Sequence, residues 1–202
     1  IGMLWAADEP DLRMLQQKAA QSRDMEGYVG VCKYLYQTEE NPELLLLYAD
    51  SIHQLATKSK KPEQLVEYYI WASEGNFIKG DFQQGYALKR KAIALAEKAG
   101  LKFAISQSCC DMGYYCNVDA RYDSARYYFR KGLEAGEDLS EAGEACRTML
   151  TNYASSFLFE GKTDSALVYT IRASERSAAD KDTAMLIENL NQLGTIYRRK
   201  KD

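Results

Sequence analysis

Few residues in this chain could do covalent or acid–base chemistry. His53 is the single histidine among 202 residues, which excludes sites built from several imidazoles, whether hydrolytic or metal-binding. It lies in Ser51-Ile52-His53-Gln54, inside a helical pattern and beside no glycine-rich turn. That is the setting of a solvated or packed histidine, and a Ser-His-Asp hydrolase would have to be built on it alone. The five cysteines, Cys32, Cys109, Cys110, Cys116 and Cys146, are odd in number and irregular in spacing, unlike a disulfide framework. Cys109 and Cys116 stand two helical turns apart, about 10 Å, too far to chelate one ion unaided. They read as small apolar residues packed between helices. The chain has no G-x-x-x-x-G-K-[ST], no H-E-x-x-H and no G-x-S-x-G, and so no signature of a phosphate loop, a zincin or a nucleophile elbow. The expectation is a protein without catalytic residues, cofactor or metal.

Composition narrows the class further. Hydrophobic residues make up 46% and charged residues 27%, a globular balance that argues against disorder. The net charge is −3, with Lys and Arg scattered along the chain, so no direct nucleic-acid binding is expected. No run approaches the roughly 18 apolar residues of a membrane span. Ile1-Gly2-Met3-Leu4-Trp5-Ala6-Ala7 before Asp8-Glu9 has the pattern of a signal-peptide tail and cleavage site. An ordinary apolar N-terminal stretch reads the same way, and free thiols point instead to a reducing compartment. Residues 1–9 are therefore set apart as a tail, and 10–202 as the helical domain. With Ile1 at one end and a helical pattern still running at Arg198-Arg199-Lys200-Lys201-Asp202 at the other, the chain reads as a fragment of a longer protein.

The elements that must carry any site announce themselves by repetition. Ala72-Ser73, Met112-Gly113, Tyr153-Ala154 and Leu193-Gly194 recur at spacings of 40, 41 and 40 residues, the mark of a repeat architecture. Second landmarks follow at Phe82-Gln83-Gln84-Gly85, Tyr122-Asp123-Ser124-Ala125 and Thr163-Asp164-Ser165-Ala166, with small residues at Ala92, Gly132 and Ala173. This divides the chain into repeats at about 23–60, 61–100, 101–140 and 141–180, with a partial one at 181–202. Pro10, Pro42 and Pro62 each fit a first helical position beside an acid. Gly80 and Gly161 fit turns between paired helices, and Gly100 and Gly136 turns between repeats. Leu150, Tyr153, Ala154 and Phe157, like Leu190, Leu193, Gly194 and Tyr197, follow the spacing of one helical face. No segment alternates with period two. The prediction is an all-α protein of about ten helices: 10–22, 24–38, 42–58, 62–79, 82–99, 102–118, 121–136, 140–160, 163–178 and 182–200.

This pattern resembles the tetratricopeptide repeat (TPR). Met112-Gly113, Cys116, Tyr122, Ala125, Phe129 and Gly132 fit one repeat. Leu150, Tyr153-Ala154, Phe157, Gly161, Ala166 and Ala173 fit the next, and Leu190, Leu193-Gly194 and Tyr197 fit the first helix of another. The match is good over about 62–200 and weak over 23–60, where Lys33 takes the small residue's place. The resemblance implies a right-handed α-α superhelix, a TPR-like solenoid of antiparallel helices. The Asp-Ser-Ala landmark and the signal-like tail further resemble the repeat regions of Bacteroidetes-type membrane-tethered regulators, which carry a histidine-kinase or helix-turn-helix output. That implies the sensory or interaction region of a larger signalling or transcription-regulatory protein, with a periplasmic location favoured and a span following the fragment. The alternative is a cytoplasmic peptide-sensing regulator.

In this family the first helix of each repeat lines the concave face, which carries a protein or peptide ligand. The resemblance places Glu67, Ile70, Glu74 and Phe77 on that face in one repeat and Cys110, Asp111, Tyr114 and Asn117 in the next. Thr151, Asn152, Ser155 and Phe159 follow, then Asn191, Thr195 and Arg198. Amides, hydroxyls and rings suit an extended peptide. The Lys and Asn clamp of carboxylate-binding members is matched only at Asn152. Finally, helix 182–200 is predicted to bare Leu186, Leu190, Leu193 and Tyr197, a stripe that a homodimer through this helix would cover.

Overall fold

The computed structural model describes residues 11–39 and 41–201. The expectations for residues 1–9 and for Pro10 lie outside the described residues. Among the described residues ten α-helices follow one another: α1 (Leu12–Ser22), α2 (Met25–Thr38), α3 (Pro42–Ser59), α4 (Pro62–Lys79), α5 (Phe82–Ala99), α6 (Lys102–Val118), α7 (Tyr122–Gly136), α8 (Gly143–Phe159), α9 (Thr163–Ala179) and α10 (Thr183–Arg199). A 3₁₀ turn, Ser140–Ala142, leads into α8. The described residues contain no strand. The fold is all-α.

Local chemistry sets the helix ends. The Asp24 and Asn41 side chains accept the Gly27 and Leu44 N–H groups at 2.8 and 2.9 Å, satisfying donors that a helix start leaves orphaned. Pro42 and Pro62 open α3 and α4 with Glu43 and Glu63 in the first turn, where Pro forgoes no hydrogen bond and the acid meets the positive dipole. Gly80, Gly100 and Gly161 adopt φ of 87°, 69° and 80°, the left-handed turn for which glycine carries no side-chain penalty. Gly136 differs from the expectation. It is the last residue of α7 and is buried, and a Cβ there would overlap the Ser106 hydroxyl. It is kept small by close packing, not by a turn.

The chain forms two compact units, one ending at Ala99 and the other beginning at Gly100. In the first, α1 to α5 pack each on the next, and α2 also touches α4. Val31, Cys32, Leu35, Leu45, Ala49, Ile52, Trp71 and Leu88 fill its core. In the second, α6 to α10 pack in sequence while α6 touches α8 and α8 touches α10. Alternate helices thus form a layer in each unit, as in a helical repeat. The repeated small residue explains the close approach. A Cβ on Gly113 would overlap the Phe129 ring, and one on Gly132 the Met149 sulfur.

Helix α10 packs through a different face from the one the sequence singles out. Its fully buried residues are Asn189 and Ile196, whereas Leu186 and Leu193 are half-buried. Leu190 and Tyr197 remain 54% and 52% exposed, and no atom lies within 4 Å of where a Cβ on Gly194 would stand.

Candidate functional site

The second unit contains a groove of about 480 Å³ lined by Tyr114, Asn117 and Val118 of α6, Tyr122 of α7, Asn152, Ser155 and Phe159 of α8, and Glu188 of α10. It brings together five of the residues expected to face a ligand: Tyr114, Asn117, Asn152, Ser155 and Phe159. They meet because α6, α8 and α10 occupy one layer, and because positions three and four apart share a helix face. Ion pairs fix the helices around it. Arg126 of α7 pairs with its neighbour Asp123 and, at 2.7 Å, with Glu160 beyond the end of α8. Arg147 of α8 reaches Asp180 and Asp182, in the turn before α10, at 2.9 Å each. Bonds from Arg176 and Arg147 hold the Asp180 carboxyl below its ordinary 3.8. The Met185 N–H, chiefly, does the same for Asp182.

The polar groups of the groove are unequally occupied. Ser155 accepts a hydrogen bond from Gln192 at 2.7 Å and donates to the Thr151 carbonyl, so its hydroxyl is committed. Asn117 donates through Nδ2 to the Asn152 carbonyl at 3.0 Å, but its buried Oδ1 receives no hydrogen bond. An unsatisfied buried acceptor is rare and unfavourable. Tyr114 and Phe159 are 50% and 60% exposed, with Tyr122 6.1 Å from Phe159 between ring centres. The site has amides and rings but no nucleophile–base pair.

Other expected residues are placed elsewhere. Glu74 is buried and paired with Lys89, itself fully buried. Phe77 is buried against Gly85 and Tyr86. Neither faces a ligand, because the α4–α5 interface takes them inward. Glu67 accepts from the Trp71 indole at 3.0 Å, and Ile70 is half-buried beside it. Cys110 and Thr151 are buried, and the Thr151 hydroxyl bonds Asn189 at 2.9 Å. Asp111 is half-buried and does not line the groove. Asn191 and Arg198 are exposed and Thr195 is half-buried, but all three lie off the groove, where they bond one another along α10. Sequence reasoning missed Val118, Tyr122 and Glu188. Tyr122 was visible as a repeat landmark. Glu188 carries no local signal, since its place depends on the rotation of α10.

The thiols behave as packing groups. All five cysteines are buried, and none forms a disulfide among the described residues. Burial pushes the Cys32 thiol up to about 12 and also raises that of Cys146, which suppresses the reactive thiolate. Among the described residues no cluster of His, Cys, Asp or Glu could hold a metal ion, and no helix is long and apolar enough to cross a membrane.

No protein-family model matches this chain, and no curated protein does. A solved structure does. The crystal structure of BtubC (BKLC) from P. vanneervenii aligns with a TM-score of 0.73 over 95% of this chain and 80% of that one, at 14% identity. The chain has a helical-repeat fold. At that identity the likeness is one of architecture alone.

Proposed function

We propose that the protein is a non-enzymatic, TPR-like module that binds a protein or peptide in the groove of its second unit. The single observation behind this reading is that Tyr114, Asn117, Asn152, Ser155 and Phe159 line one open cavity. The Asn152 side chain makes no hydrogen bond among the described residues, so both its donor and its acceptor are available to a backbone amide. The exposed rings offer apolar surface on either side, and extended peptides are held by this combination of backbone bonds and side-chain contacts. The module serves as the sensory or interaction region of a larger bacterial signalling or transcription-regulatory protein. A cytoplasmic peptide-sensing regulator is the alternative. The parent gene separates the two, because the first requires an encoded membrane span or output domain and the second requires neither.

The binding reading is tested by selection from a random library of short peptides on immobilised protein, with a Tyr114→Ser/Phe159→Ser variant as control. Peptides should be enriched on the wild type and lost on the variant, with its melting temperature unchanged because both rings are exposed. No enrichment, or equal enrichment on both, overturns it.

A further inference from the structure

Among the described residues, Glu188 is the only charged one lining the groove. Elsewhere in this unit Asp123, Glu160, Asp180 and Asp182 are paired with arginines, but Glu188 makes no ion pair among the described residues. Around it the groove presents the rings of Tyr114, Tyr122 and Phe159, whose faces attract a cation. A neutral ligand would cover the carboxylate and strip its water without replacing it, and an acidic one would be repelled. A cation satisfies both the carboxylate and the rings. Resting on the peptide reading above, we propose that the ligand is a peptide segment whose Lys or Arg side chain is held by Glu188 and the aromatic rings, while one of its backbone N–H groups pairs with Asn117 Oδ1.

Two further features favour a segment of chain over a free amine. The volume of about 480 Å³ exceeds what one cationic side chain fills, and Val118 adds apolar surface for a neighbouring residue. Asn117 is 8% exposed and its buried Oδ1 receives no hydrogen bond, so it requires a donor that a backbone amide supplies.

The experiment is a positional-scanning library of short peptides, read on wild-type protein, Glu188→Gln and Glu188→Lys, with melting temperatures confirming the fold of each. On the wild type, Lys or Arg at one position should bind about tenfold better than norleucine, the uncharged analogue. Glu188→Gln should abolish that preference, and Glu188→Lys should turn it toward Asp or Glu. In the best peptide, N-methylation of one particular backbone amide should abolish binding. Peptides that bind without cation preference, or with one that Glu188→Lys leaves unchanged, overturn the proposal and leave the peptide reading standing. Insensitivity to N-methylation at every amide overturns the role of Asn117 Oδ1. Nα-acetyl-lysine methylamide binding as tightly as the peptide overturns the choice of a segment.

Discussion

Glu74 in the first unit and Tyr114 in the second hold the same place in the repeat, forty residues apart. Tyr114 stands half-exposed on a groove, whereas Glu74 is buried. The cause lies in the facing helix. Over the small residue Gly113 the second unit places Phe129, which fills the slot with its ring. The corresponding residue in the first unit is Lys89, fully buried and paired with Glu74. A buried ammonium is tolerated only with a partner. The neighbouring position therefore turns inward, and the first unit uses for internal pairing what the second leaves exposed on the groove. Repeats that share a register need not share a binding face.

The largest expected effect comes from breaking that pair. Lys89→Met leaves Glu74 buried beside a lost cation and should destabilise by about 3–5 kcal/mol in chemical denaturation. The double variant Lys89→Met/Glu74→Leu should recover most or all of that loss, since an apolar pair of similar volume needs no desolvation. Recovery of less than half would mean that the charges hold the joint in a way that packing cannot.

The aromatic joint is probed from the glycine side. Gly113→Leu and Ala154→Leu should each cost about 1–3 kcal/mol through overpacking, read as a lowered melting temperature. Gly194, the same repeat position with open space above it, should respond oppositely. Gly194→Ala should raise stability by up to about 1 kcal/mol through helix propensity. A destabilised Gly194→Ala would show that something covers this face.

Acid should separate the buried pairing of the first unit from the surface pairing of the second. The Asp180 and Asp182 carboxyls lie below their ordinary 3.8. Their contribution is therefore complete above about pH 3.8 and is lost as the pH falls below it through the folded-state values. Melts recorded at decreasing pH should show this loss, and Asp180→Asn/Asp182→Asn should flatten it. The smallest effect is chemical: the five buried thiols should stay unreactive toward a thiol reagent in the native state and titrate together only on unfolding.

Most of the architecture was legible in the sequence because it rests on local and periodic signals. Pro42, Pro62, Gly80 and Gly161 mark helix ends through backbone preferences that no tertiary contact overrides. The 40-residue register places α4 through α10, but it fails at Lys33, which is exposed while Cys32 beside it is buried. The site was half legible. Tyr114, Asn152 and Phe159 follow from the register, whereas Glu74 and Thr151 were misplaced because their partners, Lys89 and Asn189, lie 15 and 38 residues away. Spacing within one helix shows which residues share a face. It does not show how far that face is turned, and on that Glu188 depends.

The Asn189 and Gln192 amides of α10 set that turn. Asn189 accepts from Thr151 and donates to Ser177 at 3.2 Å, and Gln192 joins Ser155 to Thr170. Leucine-on-leucine contact tolerates a helix rolling about its own axis, but this polar ladder does not. A slip of one residue would roll α10 by about 100°, orphan both amides and swing Glu188 out of the groove. The ladder thus works as an angular stop, and the groove inherits its charge from bonds that Asn189 and Gln192 make to α8 and α9.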